Sequence, residues 1–133
     1  MKYLGSCLCG NIQYEVDGEF ENFFLCHCKS CRKDTGSAHA ANLFSSKAKL
    51  KWVKGENEVR EFNYKNSGHI KAFCPNCSSA LPNIQLNKTL LVVPAGSLDT
   101  DIDITPTGHI YLKEKAVWDY NLENAPKYEE LPE

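Results

Sequence analysis

Seven cysteines fall into three tight clusters, Cys7-Leu8-Cys9, Cys26-His27-Cys28-Lys29-Ser30-Cys31 and Cys74-Pro75-Asn76-Cys77. Sulfur spaced one or two residues apart is how a chain grips a soft metal ion. A structural zinc takes four ligands in a tetrahedron with Zn–S near ~2.3 Å, which sets neighbouring sulfurs roughly 3.8 Å apart. An odd number of cysteines cannot all pair within one chain, and cysteines one residue apart are poor disulfide partners. Seven divides into one saturated four-sulfur site and three sulfurs left over. Three protein ligands with a free fourth position is the pattern of a catalytic metal. The spacing therefore predicts two zinc ions per chain with different tasks.

Cys7 and Cys9, at i and i+2, would face the same side of an extended strand, and Gly10 then permits a tight bend. Pro75 and Asn76 fold the chain back between Cys74 and Cys77. These two separated pairs form a credible structural zinc site. Cys26, Cys28 and Cys31 can all reach a second ion. An extended chain there points His27 away from the metal. The alternative makes His27 or His39 the fourth ligand and the second site purely structural.

Three thiolates on a divalent zinc leave a centre of charge −1, a modest activator of water. A soft fourth ligand such as an outside thiol suits it better. Lys29, Arg32 and Lys33 surround the cluster and are candidate contacts for such an anionic thiol. A zinc deaminase needs a glutamate paired with its ligand motif, and His39-Ala40-Ala41 lacks one.

The formal charge of −2 and a pI of about 6.1 give no footprint for nucleic acid or an anionic membrane surface. No run approaches the ~20 apolar residues of a membrane span. Nothing near Met1 resembles an export signal, so the expected compartment is cytoplasmic, where thiols stay reduced. The 133 residues fit a single domain, 1–133, with its core over about 3–120 and a loosely docked tail from Asn124.

Short strands separated by turn signals predict a mainly β fold. Ile12, Tyr14 and Val16 alternate with polar residues and stop at Asp17-Gly18. Ala38 to Phe44, Leu50 to Val53 and His69 to Phe73 also read as strands. Leu81–Leu86 and Thr89–Val93 read as a hairpin. Glu58–Tyr64 is either helix or strand. Arg32 to Ser37 reads as a loop or short helical turn, and His109 to Trp118 as a late strand with Trp118 in the core.

Several motifs together resemble the glutathione-dependent formaldehyde-activating enzyme family, which includes centromere protein V. They are Cys7-Leu8-Cys9-Gly10, the middle cluster with Arg32 and Thr35-Gly36-Ser37, Phe73-Cys74-Pro75-Asn76-Cys77, Ala95-Gly96-Ser97-Leu98-Asp99, His109 and Trp118. The resemblance spans about residues 3–120. It implies twisted antiparallel sheets of the β-tent type, stapled by zinc on Cys7, Cys9, Cys74 and Cys77, with a second zinc on Cys26, Cys28 and Cys31. It also implies a carbon–sulfur lyase that adds glutathione reversibly to formaldehyde, giving an S-hydroxymethyl adduct. His27, His39, Tyr111 and Lys113 are the candidate proton donors by residue type. A non-catalytic zinc-stabilised binding module and a thiol-based redox switch are the alternative functions. One departure is Ser78-Ser79, where the family's second knuckle usually continues with glycine.

Overall fold

The structure is a computed structural model and describes residues 1–65 and 67–132. It is mainly β, built as three small sheets. The first contains β1 (Lys2–Ser6), β2 (Gln13–Asp17) and β5 (Lys49–Lys54), in the order β1-β2-β5. The second contains β3 (Asn22–Cys26), β4 (Ala40–Ser45), β9 (Asn83–Gln85), β10 (Leu90–Pro94) and β11 (Gly108–Ile110), in the order β11-β3-β4-β10-β9. The third contains β6 (Arg60–Asn63), β7 (Ile70–Phe73) and β8 (Ala80–Leu81), in the order β6-β7-β8. Strand pairing is antiparallel except for β11, which lies parallel to β3 with Ile110 opposite Cys26. Among the described residues a single α-helix, α1 (Lys29–Thr35), begins within the middle cysteine cluster.

The alternation read in β2 holds. Tyr14 and Val16 are buried, and Gln13 and Asp17 face water. Their inward faces join Tyr3, Ile12, Leu43, Leu81, Leu91 and Val93 in one core. Only glycine fits at position 5, because a Cβ there would lie 2.2 Å from the Tyr14 ring. Tyr14 runs beneath β1 and its hydroxyl meets Ser97 Oγ at 2.5 Å. Burial pushes the Tyr14 phenol well above its ordinary range, so it stays protonated.

The Gly96-Ser97-Leu98-Asp99 motif is a dock for β1. Leu98 bridges Gly5, the Asp99 amide donates to the Leu4 carbonyl (2.7 Å), and the Ser6 hydroxyl donates to Asp99 Oδ2 (2.7 Å). These bonds fix the end of the strand from which Cys7 emerges.

Two open local readings resolve, and two expectations change. Residues 32–35 belong to α1, whose first turn is capped by Cys28 Sγ accepting from the Cys31 amide (3.3 Å) and which ends on left-handed Gly36. Arg60–Asn63 is a strand, preceded by a 3-10 turn at Glu56–Glu58. The late strand is confined to Gly108–Ile110, since Tyr111 turns left-handed (φ 58°) and starts a 3-10 turn at Leu112–Glu114. Trp118 is 60% exposed and is not part of the core. No helix among the described residues is long and apolar enough to cross a membrane.

Candidate metal centres and the cavity beside them

Two thiol groups assemble as the spacing predicts. Cys7, Cys9, Cys74 and Cys77 form one cluster, and Cys26, Cys28 and Cys31 the other. Within each, every sulfur lies within 4.8 Å of the rest.

The four-thiol cluster joins the first sheet to the third. Cys7 and Cys9 lie on a turn beyond β1, not on an extended strand. Gly10, at φ 80°, closes that turn through its amide on the Cys7 carbonyl (3.0 Å). The partner turn follows β7, where the Ser78 amide donates to the Cys74 carbonyl (2.7 Å). Ser78 sits at φ 65°, a conformation that favours glycine, so the departure at this position places a side chain in strained backbone. Cys7 and Cys9 sulfurs are 3.6 Å apart, and Cys9 and Cys74 sulfurs 3.9 Å. Those separations fit the ~3.8 Å edge of a tetrahedral zinc–thiolate site.

The surroundings of this cluster favour thiolate. Ser79 Oγ accepts from the Leu8 amide (2.9 Å) and lies 3.2 Å from Cys77 Sγ. Its own hydrogen can then point at the sulfur. Helped by the Cys9 and Ser79 amides, it brings the Cys77 thiol down to about 5. The Asn76 side chain, with the Asn11 amide, likewise lowers Cys9.

The three-thiol cluster spans the end of β3 and the start of α1. Cys26 closes the strand, Cys28 is extended (ψ 156°), and Cys31 lies on the buried face of the helix. Burial pushes the Cys26 and Cys31 thiols up, so a thiolate trio here needs a cation to form. His27 points away, as an extended segment requires. Its Nε2 meets His109 Nδ1 at 2.8 Å, and Asp119 Oδ2 lies 3.1 Å from its Nδ1. Burial holds the His27 imidazole below its usual range against the pull of Asp119. His39 packs edge-on to His27 with ring centres 5.1 Å apart. Neither histidine joins the thiol group. The family resemblance had pointed to His109, but nothing in the sequence identified it and Asp119 as partners of His27.

Cys26, Cys28 and Cys31 line a cavity of about 700 Å³ between the second and third sheets. Ser30, Cys31 and Asp34 bring one face of α1 to it, and Tyr111 and Glu114 close another side. Lys29, Arg32 and Lys33 lie elsewhere. They line a separate hollow of about 290 Å³ with Gly36, Ser37 and Trp118. Helical spacing accounts for the division, because residues three and four apart share a face. Of the four candidate proton donors, Tyr111 alone lines the cavity.

The sequence matches the glutathione-dependent formaldehyde-activating enzyme family over residues 2–114. The chain belongs to that family. Family membership thus extends across both thiol clusters and ends at Glu114, on the cavity wall. Among solved structures, a Rhodobacter sphaeroides protein determined as a structural-genomics target matches with a TM-score of 0.57 and 22% identity, over 82% of this chain and 99% of that one. At that identity the likeness concerns the fold alone. No curated protein sequence matches.

Proposed function

We propose that this protein is a zinc-dependent carbon–sulfur lyase that adds a small thiol reversibly to an aldehyde such as formaldehyde. Glutathione is the thiol that the family name supplies. One observation carries the reading: three thiols without a histidine partner line a cavity large enough for a small organic molecule. Zinc held by Cys26, Cys28 and Cys31 would supply a Lewis acid that favours the thiolate form of an incoming thiol. Zinc on Cys7, Cys9, Cys74 and Cys77, with its shell complete, would be structural.

The chain's own contribution is positioning. Cys28 is held by the Cys31 amide on its sulfur, and Cys26 by β-pairing opposite Ala40. The cavity wall confines thiol and aldehyde to one small volume, which converts an encounter in solution into an oriented assembly. A carbon–sulfur bond forms as the carbonyl π bond breaks. The thiol's proton ends on the new hydroxyl, and Tyr111, which lines the cavity, is the candidate donor to that oxygen. The reverse step returns thiol and aldehyde.

The test is exchange spectroscopy between labelled formaldehyde and its thiol adduct. Zinc-loaded protein should accelerate the exchange, and Cys28→Ser should abolish that acceleration while the fold persists. No acceleration by the protein loaded at both sites would rule the lyase reading out.

A further inference from the structure

The charges in the cavity point to a particular kind of thiol. Among the described residues, its charged side chains are Asp34, Glu114 and Lys71, with His69 beside them. The single lysine is already committed. Lys71 Nζ lies 2.8 Å from Asp34 Oδ1 and donates to the Asp34 carbonyl at 2.8 Å. His69 Nε2 takes the other carboxylate oxygen at 2.8 Å. Asp34 is thereby balanced, and Lys71 has no charge left to offer an arriving anion.

Glu114 is different. Its Oε1 accepts from the Lys29 amide at 2.9 Å, at the first residue of α1. It has no lysine, arginine or histidine partner among the described residues. A net negative charge therefore stands beside Cys28, one residue before the bonded amide. Lys29, Arg32 and Lys33 line the separate hollow by Trp118, and Lys113 and Lys115, which flank Glu114, neither line the cavity nor form an ion pair with it. The width of a helix, ~10 Å, is comparable to a Debye length, so the field of the first three at the cavity is weakened. The remaining polar lining is neutral. Asn83 is buried with its Oδ1 accepting from Gln85 Nε2 (2.8 Å), and Asn42 and Tyr111 add further neutral polar groups.

We infer that this cavity selects thiols with a cationic tail, that is aminothiols, and disfavours thiols whose tail is a carboxylate. The inference rests on the lyase reading for the role of the thiol, but it names a different specificity from that of glutathione, which carries one more carboxylate than ammonium. An ammonium two or three bonds from the sulfur would find Glu114 beside the thiol cluster, where an anionic tail would find only repulsion.

Calorimetric binding to the zinc-loaded protein tests this without any aldehyde. The probes are cysteamine, 2-mercaptoethanol and 3-mercaptopropionate, similar in size and different in charge, with glutathione as a fourth. Each is compared between the wild type and Glu114→Gln, so that differences in thiol acidity cancel. The amide keeps an oxygen for the Lys29 N–H and removes only the charge. Relative to 2-mercaptoethanol, whose only anionic group would be the bound sulfur itself, Glu114→Gln should weaken cysteamine and tighten 3-mercaptopropionate, each by roughly threefold or more. Added salt should weaken cysteamine binding to the wild type. Unchanged affinities in Glu114→Gln, or wild-type preference for 3-mercaptopropionate and glutathione over cysteamine, would overturn the inference. Formaldehyde exchange with 2-mercaptoethanol separates the two readings. Charge-ranked binding without exchange defeats the lyase reading alone, and exchange without charge ranking defeats this one alone. Failure of every thiol to bind overturns both.

Discussion

Asp34 and Lys71 are joined twice, through Nζ to carboxylate Oδ1 and through Nζ to the Asp34 carbonyl, both at 2.8 Å. With His69 on the second carboxylate oxygen, this clasp ties β7 to the helix that carries Cys31. It lies on the cavity wall and joins two elements that no strand pairing connects. Asp34→Ala should lower stability by about 1 kcal/mol, since the groups are partly exposed and screened. It should also raise KM for the thiol more than it lowers kcat. Urea denaturation and steady-state kinetics check the two parts. An unchanged KM would mean the clasp leaves the cavity's shape alone.

The two thiol clusters should respond differently to loss of a sulfur. Cys7→Ser or Cys74→Ser removes a candidate ligand from the junction of two sheets, and structural metal sites contribute folding energy directly. Both variants should be poorly soluble with weakened near-ultraviolet circular dichroism. Cys28→Ser should stay folded and bind one zinc fewer. Metal analysis with circular dichroism distinguishes them, and equal unfolding of all three would count against the division.

Ser78 occupies a left-handed backbone conformation beside the second knuckle. That conformation costs a non-glycine residue roughly 1–2 kcal/mol, partly offset by the greater unfolded-state entropy of glycine. Ser78→Gly should therefore stabilise the zinc-loaded protein by up to about 1 kcal/mol, read as a higher urea midpoint at unchanged slope. A lower midpoint would show that the Ser78 side chain offsets its own strain.

Glu21 organises the turn after β4. Its carboxylate accepts from the Ser46 amide (2.9 and 3.2 Å) and from the hydroxyls of Ser46 and Ser45. The Ser46 amide in particular holds its carboxyl below the ordinary glutamate range. A depressed folded-state value means the contribution is complete above the unfolded-state value and is lost as pH falls through the folded one. Wild type should melt above Glu21→Gln at pH 7, and the gap should close on acidification below the usual glutamate range. A gap independent of pH would assign the effect to shape rather than charge.

The local sulfur pairs were legible from spacing alone, because a pair with one or two residues between its members needs no tertiary information, while the joining of Cys7 and Cys9 to Cys74 and Cys77 was one partition of the seven that the family resemblance also implied. The β2 alternation was legible for a similar reason, since burial on one face repeats every second residue. What escaped the sequence were features set by local backbone reversals. Gly36 suggested a loop, yet in the fold it is the left-handed end of α1. Leaving the segment open between a loop and a short helical turn hid the fact that Cys31 and Asp34 share one helix face while Lys29, Arg32 and Lys33 share another. Tyr111 turns left-handed with no glycine or asparagine to announce it, so the late strand was drawn too long and Trp118 was placed in the core. The His27–His109 pair depends on the parallel register of β11 against β3, which no local pattern specifies.

The two sulfur clusters also differ in how much chain they enclose. Cys26, Cys28 and Cys31 are neighbours along the sequence, whereas Cys9 and Cys74 are 65 residues apart. Closing a long loop carries an entropic toll that a six-residue segment avoids. During refolding, the local trio is competent to capture an ion before the sheets exist, and the distant quartet only once they have met. Metal in short supply would therefore fill the local trio first and leave the sheets unjoined.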